Sequence, residues 1–300
     1  KVPIENLLYD RQKGFKIAVN ILNIGRIKLG GAVLGAAKDA CTHAIRYANE
    51  REQFGRPISK YGAIRYKLAE SAIRLFTKES ALYRATQNID DAIAGLIADG
   101  MDKGEATLKG IELFAPECAI LKVTGADLAC YATDEVMQIH GGMGYAAELG
   151  LEMAYRDSRI TKIYEGTNEI NRMLSFAELM KRAFKTKEVN LQKAGKAIPK
   201  IIFKRSLPFQ KLTTLKVIEN FKMLFLVLSS YTGKAFGMKL ADEQEIVMDL
   251  ADIMGEAYIA ESVYLRVEKL KQKNVPQNEI DIKESILNLQ LYDANQKIIQ

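Results

Sequence analysis

The sequence predicts an all-α chain: an antiparallel helical bundle followed by a second, smaller helical domain. Three observations predict it. Strand signals are nearly absent after Leu8, apolar residues recur at helical spacing over long stretches, and short loops separate those stretches. The 300 residues are 48% hydrophobic, enough for a sizeable core.

Lys1-Val2-Pro3-Ile4 reads as the tail of a strand rather than a beginning, as though the chain were cut in front of it. Residues 15–50 read as one long helix, with Gly30, Gly31, Ala32, Gly35, Ala36 and Ala37 allowing close approach of a neighbour. Gly55 and Pro57 break the pattern. A second helix is expected over 62–89, on Ile64, Leu68, Ala72 and Leu75. A third is expected over 103–131, with Pro116 at a kink or restart, and a short helix then reaches Ile139. The glycine cluster His140-Gly141-Gly142-Met143-Gly144 follows. Helices over 149–156 and 167–184 complete the first bundle, 15–184. A linker spans 185–209, with Pro199 and Pro208 inside it. The second domain, 210–300, carries helices over 210–236, 241–273 and 279–299.

The net charge is +6, but its placement says more than its size. Eleven Lys or Arg between Lys181 and Lys216 face one acid, Glu188, so this stretch carries +10 and the remainder −4. Such a stretch suits phosphate, an anionic membrane surface or a solvated linker. It lacks the interleaved aromatics of a nucleic-acid site, apart from Phe184, Phe203 and Phe209, so no nucleic-acid partner is expected. Cys41, Cys118 and Cys130 have no CxxC spacing and read as buried thiols. His43 and His140 lie far apart, so no metal is expected. No apolar run approaches the ~18 to 20 residues of a spanning helix.

The most informative segment is Ile163-Tyr164-Glu165-Gly166-Thr167-Asn168-Glu169-Ile170. It ends a loop on a carboxylate and a glycine, then offers a threonine able to cap the next helix. A carboxylate beside a helix N-terminus can act as a general base, though such a loop is also a common surface turn.

Tyr164-Glu165-Gly166-Thr167-Asn168-Glu169-Ile170 resembles the signature of the acyl-CoA dehydrogenases. Three more segments resemble the family in order and spacing: Arg51-Glu52-Gln53-Phe54-Gly55, then Gln138 to Tyr145, and Val2 to Asn6 with Gly14-Phe15. The last resembles the exit from the family's middle β domain, so residues 1–14 are expected to be the end of that domain or its linker. The resemblance implies FAD as cofactor and an acyl-CoA as substrate, oxidised to a trans-2-enoyl-CoA in fatty-acid β-oxidation. Glu165 would take the α-proton and flavin N5 the β-hydride, with the Glu165 N–H helping the developing enolate. Thr167 and Glu169 match positions that meet the flavin of the same subunit. Arg51, Gln53 and Phe54 match positions that reach a neighbour's cofactor, and Gln138 and Gly142 match positions at its ADP portion. These imply a homo-oligomer, a dimer favoured over a tetramer. Asn23, Arg26, Tyr164 and Gly166 match substrate-contacting positions. Asn23 departs from the aspartate of short- and medium-chain members and resembles the very-long-chain branch. Gly62 departs from a polar flavin contact, so Tyr61 and Gly62 stand outside the site.

The region after residue 184 also resembles the very-long-chain, membrane-associated, dimeric branch. It places peripheral membrane association at 181–228, where Met223 to Leu228 adjoins the basic stretch. The expected electron acceptor is electron-transfer flavoprotein, and the expected place is the bacterial cytoplasm or the mitochondrial matrix. An acyl-CoA oxidase shares the base and flavin, and a helical assembly protein shares only the fold. These 300 residues alone are expected not to hold FAD tightly.

Overall fold

The fold comes from a computed structural model that describes residues 2–7, 12, 14–186, 212–273 and 275–299. Ten α-helices dominate the described residues. They are α1 (Gly14–Glu50), α2 (Gly62–Ala98), α3 (Lys103–Leu113), α4 (Ala115–His140), α5 (Gly142–Tyr145), α6 (Leu151–Ile160) and α7 (Asn168–Thr186). After the stretch 187–211 come α8 (Thr214–Phe236), α9 (Gln244–Lys271) and α10 (Gln277–Ile299). α7 takes in the first two residues of the predicted 185–209 linker, and the rest of that linker, with most of the basic stretch, lies outside the described residues.

Three expected boundaries change. Where a strand tail is expected, the described residues form a 3-10 turn, Ile4–Asn6, in which the Asn6 N–H donates to the Pro3 carbonyl. α2 runs nine residues past the predicted end, because Ile93 packs against Gly110 of α3 and sustains the helix. The predicted 103–131 helix breaks at Phe114 and restarts with Pro116 in the first turn of α4, where a missing N–H costs nothing. α4 then continues unbroken to His140. The sequence also hid a hairpin: β1 (Glu52–Gln53) pairs antiparallel with β2 (Arg56–Pro57).

α1, α2 and α4 form the frame. α2 returns antiparallel to α1, with the Lys38–Glu79 pair and Leu82 beside Gly31. α4 runs back beside α2, with Arg74 stacked 4.1 Å from the Tyr131 ring centre. α1 and α4 are therefore parallel, and they approach where glycines meet: a Cβ at Gly125 would lie 3.3 Å from Gly30 Cα. Their far ends lock through Tyr47 stacked on His140, 4.0 Å between ring centres.

α8, α9 and α10 pack onto this frame rather than away from it. One apolar cluster joins Leu34, Phe76 and Leu128 of the first bundle to Ile218, Ile259 and Leu291 of the C-terminal helices. The apolar run in α8 also faces inward in part, where Phe225 meets Phe176 edge-on at 6.2 Å. By length and composition α1 could cross a membrane. It instead lies against α2, α3 and α4 and buries Asn20, Asn23 and Arg26.

Candidate active site

The loop between α6 and α7 turns sharply at Glu165 (φ 57°) and Gly166 (φ 82°). Glycine tolerates that region, but a glutamate there is strained by roughly 1 to 3 kcal/mol, so something must hold it. Asn171, fully buried one turn into α7, is that hold. Its Nδ2 donates to the carbonyls of Glu165 (3.2 Å), Gly166 (2.7 Å) and Thr167 (3.0 Å). Thr167 caps α7 by accepting from the Ile170 N–H at 3.3 Å.

α1 forms the floor. A Cβ at Gly25 would fall 2.7 to 2.9 Å from the Glu165 carboxyl atoms, so the carboxylate rests in the space that glycine leaves. Beside it, buried Arg26 donates through Nη1 to Asn23 Oδ1 (2.9 Å) and through Nε to the Glu165 carbonyl (3.4 Å). Burial lowers the Arg26 pKa, and Cys118 and Glu165 oppose that shift. Asn23 and Arg26 thus first serve each other and the loop.

Two polar groups on Glu165 are left over. Oε2 is buried without a hydrogen-bond partner, and the Glu165 N–H donates to no acceptor among the described residues. A buried acceptor and a donor unpaired on one residue are unusual, and they suit a ligand that both offers a proton and receives a hydrogen bond. Tyr164 is exposed beside them, and Glu169 lies exposed in the first turn of α7.

The remaining predicted residues cluster at the opposite end of the bundle. Arg51 follows the C-terminus of α1, 25 positions after Arg26, which at about 1.5 Å per residue is ~38 Å away. Gln53 and Phe54 form the tip of the hairpin, with Phe54 (φ 52°) and Gly55 (φ 83°) turning it and Phe54 93% exposed. Tyr61, set aside on sequence grounds, braces this tip by donating to the Gln53 carbonyl at 2.8 Å. Gln138 is exposed in the last turn of α4, close by, and a Cβ at Gly142 would meet nothing within 4 Å. The structure therefore assembles Glu165, Gly166, Tyr164, Thr167, Asn23 and Arg26 at one end. It gathers Arg51, Gln53, Phe54, Gln138 and Gly142 at the other.

Sequence reasoning missed Gly25, Lys122, Asn168 and Asn171. Lys122 of α4 and Asn168 at the start of α7 underpin the loop, with Lys122 Nζ donating to Asn168 Oδ1 at 2.9 Å. No local spacing marks Gly25 or Lys122, because each meets its partner across the chain, and the amides of Asn168 and Asn171 take their roles only once the loop is folded. A cleft of about 1180 Å³ lies elsewhere: Arg74, Lys78, Asp127, Arg172, Asp252 and Glu256 line it, and no predicted site residue does.

Comparison with known proteins identifies the family. Residues 12–180 match the model described as "Acyl-CoA dehydrogenase, C-terminal domain", and residues 220–300 match a second model of the same description. A probable acyl-CoA dehydrogenase of Bacillus subtilis is 36% identical over 90% of the chain and 46% of its own length. The rat mitochondrial very-long-chain-specific enzyme is 40% identical over 58% of the chain and 24% of its own length. The chain thus spans less than half the length of these curated relatives. A crystal structure of a Bacillus anthracis acyl-CoA dehydrogenase complexed with FAD superimposes with a TM-score of 0.92 at 36% identity, over 99% of this chain and 51% of that one. With more than half its length matched by the first of these models, the chain belongs to the acyl-CoA dehydrogenase family.

Proposed function

We propose that the chain is the C-terminal helical portion of an FAD-dependent acyl-CoA dehydrogenase, with Glu165 taking the α-proton of the thioester. The observation that carries this is the pair of unsatisfied groups on Glu165, its buried Oε2 and its free N–H. Oε2 would accept the proton, and the N–H would donate to the thioester oxygen as charge develops there. Asn171 and Arg26 hold both groups in place by gripping the loop carbonyls. FAD, when bound, supplies the acceptor for the β-hydride.

Thr167 and Glu169 would hold the flavin of the same chain. Arg51, Gln53, Phe54, Gln138 and Gly142 would hold that of a second chain, the guanidinium meeting phosphate oxygens in pairs. The separation of about 38 Å along α1 supports this division, since one flavin does not reach both ends. The protein therefore works as a dimer or a higher assembly of dimers. Asn23 and the added C-terminal helices, which match a family model of their own, are the basis for reading the acyl substrate as long-chain. Electron-transfer flavoprotein would then take the electrons.

Anaerobic flavin bleaching by acyl-CoA tests the reading, on the protein as its host expresses it. Glu165→Gln binds acyl-CoA but bleaches at least ~100-fold more slowly. Normal bleaching by that variant overturns the assignment. A chain-length series identifies the preferred acyl group. Peroxide formation in place of electron-transfer-flavoprotein reduction marks an oxidase.

A further inference from the structure

Lys122 is a lysine with no exposed surface, in the middle of α4. A buried ammonium is costly unless it is paired. Among the described residues it forms no ion pair within 4 Å. Its hydrogen bond goes to a neutral amide, Asn168 Oδ1, at 2.9 Å. Asp127, one turn along α4, is already held by Lys162 (2.9 Å) and lies 3.6 Å from Arg172. Charged groups face Lys122 from each element around it: Asp127 on α4, Arg26 on α1, Glu169 on α7 and Glu165 on the loop.

Asn168 is the first residue of α7, three positions after Glu165. Its N–H closes the loop on the Lys162 carbonyl at 3.0 Å, and its Nδ2 donates to Asp127 Oδ1 at 3.2 Å. The amide is thus oriented with its oxygen toward Lys122. Asn171 holds the same loop from the α7 side, so the strained turn at Glu165 is gripped twice, and Lys122 is the charged end of the second grip.

We propose that Lys122 is the positioning residue of this site: through Asn168 it fixes the loop that carries Glu165, and it sets a positive charge behind that loop. Burial lowers the lysine's pKa to about 8, so the fold keeps this cation against a desolvation penalty that an apolar side chain would avoid. Its place beneath a residue with an unpaired buried oxygen accounts for a group that packing alone does not call for. The inference rests on the reading of Glu165 as the base.

The test compares Lys122→Met and Lys122→Arg in the protein as its host expresses it, with two readouts. The first is hydrogen–deuterium exchange of the peptide covering 162–171, which needs no turnover. The second is the anaerobic bleaching rate set against acyl-CoA affinity. Lys122→Met should speed exchange in that peptide about tenfold while leaving α9 unchanged, and should slow bleaching about tenfold with affinity held within about twofold. Lys122→Arg should recover most of both. Unchanged loop exchange and bleaching in Lys122→Met overturn the proposal. So does faster exchange across the whole chain that arginine does not rescue, because that marks a purely structural lysine. Failure of the base reading is separable: Glu165→Gln would then bleach normally, while the exchange response to Lys122→Met would persist.

Discussion

At the scale of single residues, Glu165 is defined by what surrounds it rather than by its type. Its backbone is in a region that side chains avoid, and its carboxylate fills the space a glycine leaves on the helix below. Gly25 is therefore as specific a requirement as the glutamate. The carboxylate is the far end of a flexible side chain, so Gly25→Ala should displace it without breaking the fold. A shift of about 1 Å in a reacting group costs on the order of 100-fold in rate. Gly25→Ala is expected to slow bleaching by 10- to 100-fold while the melting temperature falls by only a few degrees, about what ~1 kcal/mol costs. Equal bleaching in Gly25→Ala and wild type would show that the carboxylate has another place to stand. Cys118, close by on α4, is buried, and desolvation with help from Glu117 pushes its pKa up to about 12. It is inert packing beside the site.

At the scale of elements, glycines decide where helices stop and touch. Gly141 ends α4 with φ 59°, and Gly144 lies against the last turn of that helix, where a Cβ would come 2.3 Å from the Met137 carbonyl. Backbone does not yield as a side-chain tip does. Gly144→Ala should cost about 1 to 3 kcal/mol, read as a lower denaturation midpoint, and should move the turn that presents Gln138 and Gly142. An unshifted midpoint would mean that the turn relaxes freely. The long helices were legible in the sequence because their apolar spacing and their breaks at Gly55, Pro57 and Pro116 are local signals. The end of α2 was not, since the contact of its Ile93 with Gly110 of α3 sustains it. The site was legible as ordered motifs resembling a family, which located Glu165 and Arg51. Lys122, Asn168 and Asn171 stayed hidden, because a buried amide or amine has no meaning until the fold supplies its partner.

At the scale of the molecule, the C-terminal helices share a core with the first bundle. Ile218 and Ile259 are fully buried in one cluster with Phe76, Leu82 and Leu128. Arg84 and Arg266 of α2 and α9 tie the same faces through Glu261 and Glu79, at 2.9 and 2.8 Å. Two halves joined only by a linker would melt separately. A shared core makes the loss of either half expose apolar surface of the other, so one cooperative transition is expected across the described helices. Ile259→Ala supplies the test, because the cavity it opens costs about 2 to 5 kcal/mol wherever the core is tight. Calorimetry should show the whole transition moving to lower temperature. The exchange of α1 and α4 peptides should rise together with that of α9. If the substitution instead splits the transition, with α9 and α10 melting early and α1 protected as before, the two regions are energetically separate, and the loop carrying Glu165 is held by the first bundle alone.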